Sequence, residues 1–424
     1  MLYNLALMKK KTYKIATLGC RTNQYESQAY RDGLKELGYL EVGEKEIADI
    51  SIINTCTVTQ SADQRSRTQI RQFAKQNSDG KLFVTGCFAE SGKKEIEAIE
   101  GVTKVVPNQE KDNLLAYAFP GIENLPEFSI ERFSAHTRAF VKIQDGCNSY
   151  CSYCIIPFVR GRSRSKSVPA IVKEIRALIA NGYKEIVLTG INIGDFDGGD
   201  GNTRLSDLVK IVDNIEGLKR LRISSIDPDE VDDDLLDAVV NGKTTSPSMH
   251  IVLQAGSNAI LKRMNRKYTK QEFFKAVDRL KRASSDFTFT TDVIVGFPGE
   301  TDRDFQDTLD VIEEVKFAKV HMFPYSVRPK TRASRFTDPV PKNVINLRRE
   351  KVLRLSEQVA FELRDEYIGR KMQVLLESPQ GNAFSGHTDN FLEVIVKGEK
   401  LRSNTLVDVD LIENSPEGLL GELV

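Results

Sequence analysis

The sequence predicts an α/β protein in three parts: an N-terminal three-layer α/β domain (10–125), a central partial (β/α)6 barrel (133–366) and a small C-terminal β-barrel (367–424). Three observations carry that expectation. Near the start, short β-branched phrases that end in cysteine are each followed by helical periodicity; from Ala139 strands and helices alternate again; beyond Gly369 come short strands with glycine and asparagine turns. The 424 residues, 40% hydrophobic and 28% charged, suffice for several cores.

The N-terminal phrases are KIATLGC, ISIINTC and KLFVTGC, with helical patterns over 24–37, 60–76 and 92–99. This is βαβαβα, hence a parallel sheet. The carboxyl ends of its strands share one edge, where ligands bind, so Cys20, Cys56 and Cys87 converge there. One buried cysteine is ordinarily core packing. Three at equivalent strand ends instead form a candidate metal site.

In the centre, strands fall near AFVKIQ, EIVLTG, KRLRISS, MHIVLQ, FTFTTDVIVGF and AKVHMFPYS, with helices such as 168–181 and 271–283 between them. Six β/α units fit an open barrel better than a closed eight-fold one. Its chemistry belongs at the strand carboxyl edge, and there the run GCNSYCSYC places Cys147, Cys151 and Cys154 after the first strand. The CxxxCxxC spacing lets one loop bring three sulfurs to three corners of a cubane, which leaves the fourth iron open to a ligand. The plainer alternative is a zinc knuckle that borrows His136. No second CxxC and no HxxxH accompanies the loop. Gly190 and Gly194 of TGINIG, Gly296, Gly299 and Glu300 of GFPGET, and the strand-end residues Ser225 and Gln254 lie on the same predicted edge. A β/α turn uses glycine whether or not it binds anything.

Basic runs offer phosphate contacts. Arg160, Arg162, Arg164 and Lys166 directly follow the cysteine loop and are the preferred set for pairing with phosphate, as in a nucleic acid. Further runs are Lys262, Arg263, Arg266 and Lys267, and Arg328, Lys330, Arg332 and Arg335; Arg348, Arg349, Lys351 and Arg354 read as a solvated helix face. The tail, after a long charged helix over 341–367, shows strands KMQVLLES, FLEVIVKG and LVDVDLIE, hence a small barrel. Acidic residues outnumber basic ones there. Affinity for a nucleic acid would need a patch of Arg370, Lys371, Lys397, Lys400 and Arg402 with Phe384 or Phe391 stacking on a base; the alternatives are a structural cap or a protein contact.

With 60 basic and 60 acidic residues the formal charge is zero, which removes any global argument for nucleic-acid binding. The opening MLYNLALM is shorter than a signal-peptide apolar region, Lys9–Lys11 follow it instead of preceding it, and Met8 is a second possible start. No apolar run reaches membrane-spanning length. A reducing cytoplasm is therefore expected, where six cysteines mean metal or catalysis more often than disulfides.

GCNSYCSYCIIPFVRGRSRS, with Tyr153 before the last cysteine, resembles the cluster loop of radical S-adenosylmethionine enzymes. TLGCRTNQYES, NTCTVTQSAD, HIVLQAGSNAILKRMNRKYT, DVIVGFPGET and FPYS extend the resemblance over nearly the whole chain to the methylthiotransferases, and the tail resembles their TRAM module. The words around Cys20 and Cys56 are most similar to the branch acting on N6-threonylcarbamoyladenosine beside the anticodon of tRNA. The isopentenyladenosine and ribosomal-protein branches rank below it, as does a non-catalytic iron–sulfur RNA-binding protein.

The resemblance implies two 4Fe-4S clusters and S-adenosyl-L-methionine. The cluster on Cys147, Cys151 and Cys154 would chelate the cofactor and, on receiving an electron, yield a 5'-deoxyadenosyl radical that takes hydrogen from carbon 2 of the adenine. The cluster on Cys20, Cys56 and Cys87 would supply or hold sulfur, and both would face one cavity. Backbone around Tyr153 and Ile155 is implied to contact the cofactor adenine, and Gly296–Glu300 its methionine part; Gly190, Gly194 and Gln254 are further cofactor-side candidates. Implied partners are tRNA and an electron donor such as a flavodoxin or ferredoxin. Val252 and Ala255 stand where related sequences often have proline and serine.

Overall fold

Alternating side chains along three central strands build the first core on two faces. The computed structural model describes residues 11–76, 79–133 and 136–424; MLYNLALM and the possible start at Met8 lie outside them. The chain forms two units, one holding the chain up to Ser134 with Cys154–Arg162 and Val327–Lys330, the other holding the remainder.

In the first unit, β1 (Thr12–Thr17), β2 (Leu40–Glu41), β3 (Ile50–Thr55), β4 (Lys81–Gly86) and β5 (Lys104–Val105) form an all-parallel sheet in the order β2-β1-β3-β4-β5. Tyr13, Ile15, Ile52 and Phe83 face Tyr30 and Leu34 of helix Arg21–Glu36 and Leu114 of helix Leu114–Ala118. Their neighbours Ala16, Ile53 and Val84 face Ile70 and Phe73 of helix Gln60–Gln76, with Phe88 and Ile96. The period of two thus makes three layers. Each large apolar side chain fully buried here contributes about 2 kcal/mol. The first helix begins earlier than its periodicity suggests because Cys20, extended at φ −90° and ψ 176°, is itself the N-cap. The stretch expected at 92–99 is broken at Gly92 into Cys87–Ser91 and Lys93–Glu97, so Cys87 opens a helix.

In the second unit, β6 (Arg138–Lys142) is followed by a small antiparallel ribbon of β7 (Gln144–Asp145) and β8 (Arg164–Ser165). Then come β9 (Glu185–Thr189), β10 (Arg220–Ile223), β11 (Ser248–His250), β12 (Thr288–Val295) and β13 (Lys319–Pro324). Parallel sheets β6-β9-β10 and β11-β12-β13 are linked by parallel bridges Leu221–Thr245 and Ile226–Ile251, giving the six expected strands of a partial barrel. Helices Val168–Ala180 and Lys270–Ala283 lie where their periodicity puts them. Thr269 caps the second: its hydroxyl accepts from the Glu272 amide while Glu272 accepts from the Thr269 amide.

After helix Lys342–Asp365, the strands β14 (Lys371–Gln380), β15 (Ala383–Thr388), β16 (Glu393–Lys397), β17 (Leu406–Ser415) and β18 (Gly418–Leu423) close a barrel around Val374, Leu376, Val394, Val409 and Leu419. It is mounted on the amino-terminal edge of the parallel strands. Arg220 donates to the His387 and Gln373 carbonyls (2.9 and 2.6 Å), and Arg222 to those of Thr388 and Asp389 (both 2.8 Å). No helix among the described residues is long and apolar enough to cross a membrane. None of the six cysteines is in a disulfide.

Candidate functional site

Strands β3 and β4 stay in register to their ends, Thr55 opposite Gly86, so Cys56 and Cys87 leave the sheet side by side. Cys20 comes from the turn after β1, where the Leu18 amide donates to the Asn54 carbonyl at 2.8 Å. Two glycines make this approach possible. A Cβ on Gly19 (φ +102°) would lie 2.9 Å from the Cys56 Cβ, and one on Gly86 (φ +94°) 2.4 Å from the Thr55 carbonyl oxygen. Cys56 and Cys87 are buried and Cys20 is exposed. Burial pushes the Cys56 thiol up to about 11; it also raises Cys87, against the pull of the Arg160 guanidinium.

A buried polar network frames these thiols. Arg160 donates from Nε to Cys87 Sγ at 3.2 Å, from Nη1 to Glu26 Oε1 at 2.9 Å and from Nη2 to Asn23 Oδ1 at 2.5 Å. Glu26 also receives Lys111 Nζ at 2.6 Å and Asn54 Nδ2 at 3.1 Å. Beside Cys56, Arg328 Nη2 reaches Asp63 Oδ2 at 2.6 Å and Thr57 Oγ1 at 3.0 Å. Three soft thiols from neighbouring strand ends, one already receiving an N–H, fit an iron–sulfur cluster better than a hard cation.

In the second unit Gln144 ties the cysteine loop to the turn after β9. Its Nε2 donates to the Gly146 carbonyl and Ser163 Oγ (both 2.8 Å), and its Oε1 accepts the amides of Ile191 and Asn192 (3.0 and 2.9 Å). Burial raises the Cys147 thiol, opposed by the Ser149 amide, which donates to its sulfur at 3.4 Å. Arg266 donates from Nη1 to Cys151 Sγ at 3.0 Å while its Nη2 is held by Asp227. Cys154 belongs to the first unit. His136, the histidine a zinc knuckle would borrow, is exposed with its ring 5.8 Å from that of Phe140.

The other expected site residues divide. Tyr153 packs edge-on to Phe297 at 6.4 Å. Ile155 is buried with Val159 against Cys87. Gly190 stands against Gln144, and Gly194 against the Glu230 carboxylate. Gln254 sits at φ +60° with a buried Oε1 that has no hydrogen-bond partner among the described residues, an acceptor available to a bound group. Ser225 is half-buried after β10. Gly296 and Gly299 turn against Ile345 and Asp338. Glu300 is buried, and its Oε2 accepts Gly296 N–H at 2.7 Å and Arg348 Nη1 at 2.6 Å, so its carboxylate braces its own turn.

The basic runs need correction. Arg160 is 1% exposed and faces Glu26, so it cannot meet a phosphate; Arg162 and Arg164 are exposed, and Lys166 is half-buried beside Glu174 at 2.7 Å. Arg328 and Arg348, expected on the surface, are buried against carboxylates. Phe391 has His387 stacked at 4.6 Å and the guanidinium groups of Arg222 and Arg138 at 5.0 and 5.2 Å; Phe384 packs on the barrel core. Neither ring is a bare stacking platform. Gln144, Asp227 and Glu230 were not singled out from sequence. Asn23 and Glu26 carried a signal, since Asn23 lies three residues after Cys20 and Glu26 three after Asn23 in CRTNQYE, a helical spacing at each step.

Comparison with known proteins gives the same outline. The family model "Radical SAM superfamily" matches residues 141–312, and "Uncharacterized protein family UPF0004" matches 12–107. The chain is 46% identical over 418 residues to "Threonylcarbamoyladenosine tRNA methylthiotransferase MtaB" of Chlamydia pneumoniae, covering 98% of this chain and 99% of that one. It is 32% identical to "tRNA-2-methylthio-N(6)-dimethylallyladenosine synthase" of Finegoldia magna, covering 97% and 94%. Among solved structures, the radical S-adenosylmethionine methyltransferase TsrM of Kitasatospora setae matches with TM-score 0.56 and 13% identity, covering 88% of this chain and 79% of that one; this likeness concerns fold alone.

Proposed function

The chain belongs to the radical S-adenosylmethionine methylthiotransferase family, and on that premise we propose that it methylthiolates carbon 2 of N6-threonylcarbamoyladenosine next to the anticodon in tRNA. The order of identity carries this choice of target: 46% to a relative named for that nucleoside against 32% to one named for the dimethylallyl nucleoside.

The work divides among a domain at 10–125 built around Cys20, Cys56 and Cys87, a radical domain at 133–366, and the barrel from 367. Cys147, Cys151 and Cys154 would hold one 4Fe-4S cluster and the N-terminal trio the other, with S-adenosyl-L-methionine as cofactor. Bound there, these groups supply reductive cleavage of the sulfonium, hydrogen abstraction, and the sulfur and methyl that are added. The chain's own residues position and shield. Gln144 fixes the Gly146 carbonyl ahead of Cys147 and, through two amides, the turn carrying Gly190. Arg266, fixed by Asp227, holds an N–H on the Cys151 sulfur. The buried Gln254 Oε1 is an acceptor for a cofactor N–H or O–H. Arg162 and Arg164, the exposed members of that run, supply positive charge for phosphate. A small redox protein of the flavodoxin or ferredoxin kind would deliver the electron, in the cytoplasm where tRNA is found.

Mass spectrometry of tRNA nucleosides from cells with and without the gene tests the target. Loss of the 2-methylthio form of threonylcarbamoyladenosine, with its precursor accumulating, supports it. Loss of the dimethylallyl (isopentenyl) counterpart instead reassigns the substrate, and an unchanged nucleoside profile defeats both.

A further inference from the structure

We propose that Arg160 sets the reduction potential of the cluster on Cys20, Cys56 and Cys87, as a positioning residue that acts through the Cys87 sulfur. The inference rests on the reading that these three cysteines hold a cluster.

Arg160 is among the largest fully buried side chains of the protein. A guanidinium taken out of water needs a carboxylate and well-placed acceptors. Glu26 supplies the carboxylate, yet Glu26 already receives Lys111 at 2.6 Å and Asn54 at 3.1 Å. Its compensation therefore does not depend on Arg160. What Arg160 adds is an N–H on sulfur, Nε to Cys87 Sγ at 3.2 Å.

The direction of that N–H is fixed from several sides. Asn23 accepts Nη2 while its own Nδ2 donates to the carbonyls of Leu18 and Thr55 at 2.6 and 3.0 Å, the backbone that leads into Cys20 and Cys56. Asn108 Nδ2 holds the Val159 carbonyl at 2.6 Å, and Ile155 and Val159 pack on Cys87, which seats the segment bearing Arg160. A rigid planar fork bound at two points leaves the third donor aimed at the sulfur; a lysine has no such geometry.

Hydrogen bonds to the sulfurs and net charge tune iron–sulfur potentials. A cluster on three thiolates gains negative charge on reduction, and a fixed cationic donor stabilises the reduced form more than the oxidised one. Arg160 thus raises the potential, and its removal lowers it.

The test uses the full chain with Cys147, Cys151 and Cys154 replaced by alanine, so that one cluster site remains. The protein is reconstituted anaerobically, its iron is assayed, and it is titrated with dithionite under EPR. With Arg160→Gln, the reduced-to-oxidised ratio at fixed ambient potential should fall at least tenfold, a downward shift of about 59 mV for one electron. Arg160→Lys should fall between the two. In parallel, pulsed EPR of 15N-arginine-labelled protein that retains Arg160 should show a nitrogen coupling to the reduced cluster, so a variant that fails to load iron does not end the test. A loaded cluster with no such coupling, or with an unchanged potential in Arg160→Gln, overturns the assignment of Arg160 alone. A three-alanine chain that takes up no iron overturns the cluster reading and this inference together.

Discussion

Four arginines drawn from basic runs, Arg160, Arg266, Arg328 and Arg348, turn inward onto Glu26, Asp227, Asp63 and Glu300. Composition registers their charge but not their direction, which depends on carboxylates distant in sequence. Removing the arginine from Asp227, Asp63 or Glu300 strands a buried carboxylate at a cost of about 3–5 kcal/mol, whereas Glu26 keeps Lys111 at 2.6 Å; these residues hold the site before they serve any ligand. The proposed function gives the two cysteine trios different roles. In anaerobically reconstituted, reduced protein, Cys151→Ala should abolish 5'-deoxyadenosine formation; Cys56→Ala should leave it intact and stop sulfur insertion. Identical behaviour of the two variants, followed by mass spectrometry of cofactor products and of tRNA, would remove the division of labour. Glu230 gives a pH signature. Burial, with Asp227 alongside, pushes its carboxyl from 4.5 up to about 7. Between those values the unfolded chain has lost the proton that the native chain keeps. Stability therefore falls as pH rises through that window, by roughly 3 kcal/mol in all. Glu230→Gln has no such proton, and its urea midpoint should be flatter from about pH 5 to about pH 7; an equally steep fall in the variant would place the titration elsewhere.

At the scale of elements, strand register does the work of assembling the first trio. Thr55 opposite Gly86 puts two thiols side by side only while Gly86 keeps φ +94° with the Thr55 backbone against it. Gly86→Ala would force a Cβ to within 2.4 Å of the Thr55 carbonyl oxygen in a conformation alanine resists. We expect a loss of about 2–3 kcal/mol in urea denaturation, together with loss of iron at that trio, since β3 and β4 must separate or slip. Normal iron content in the variant would show that the register tolerates the shift. These elements were legible in the sequence because each signal is local: β-branched runs, GC at the turns and a helical period over Gln60–Gln76. The partial barrel was legible from six alternating units for the same reason. Strands β15 and β18 were not. AFSGHT and GLLGEL are glycine-bearing and weakly alternating, and they become strands only when barrel closure gives their backbones partners. The Gln144 and Arg266 contacts were equally invisible, because they join a loop to residues separated from it in sequence.

At the scale of the second unit, the larger of the two, the C-terminal barrel and the cysteine loop occupy opposite edges of the parallel strands. The segment 387–391 meets the first residues of β10 and β12 through Arg220 and Thr288, with the Arg222 side chain adding two bonds to the Thr388 and Asp389 carbonyls, whereas Gly146–Cys151 follows the strand ends. A strand of five residues separates the edges by about 17 Å. A base stacked on Phe391 would therefore lie far from the chemistry, and the ring is in any case held between His387 and two guanidinium groups. Phe391 also sits at φ +69°, a backbone state that a bulky residue occupies only when its side chain is strongly held. The barrel thus acts as a cap over Arg220 and Arg222, with their partner Glu185 fully buried beneath. Phe391→Ala should lower the urea stability of the full chain by about 2–3 kcal/mol through lost packing, because the cationic faces lose their ring and the loop loses its plug. Its affinity for tRNA, measured by fluorescence anisotropy, should stay within about twofold, each tenfold being about 1.4 kcal/mol. Charge reversal at Arg162, which is exposed, should weaken that affinity and leave stability nearly unchanged. If Phe391→Ala instead lost tRNA binding with its stability intact, the barrel would be a reading module and the cap assignment would fall.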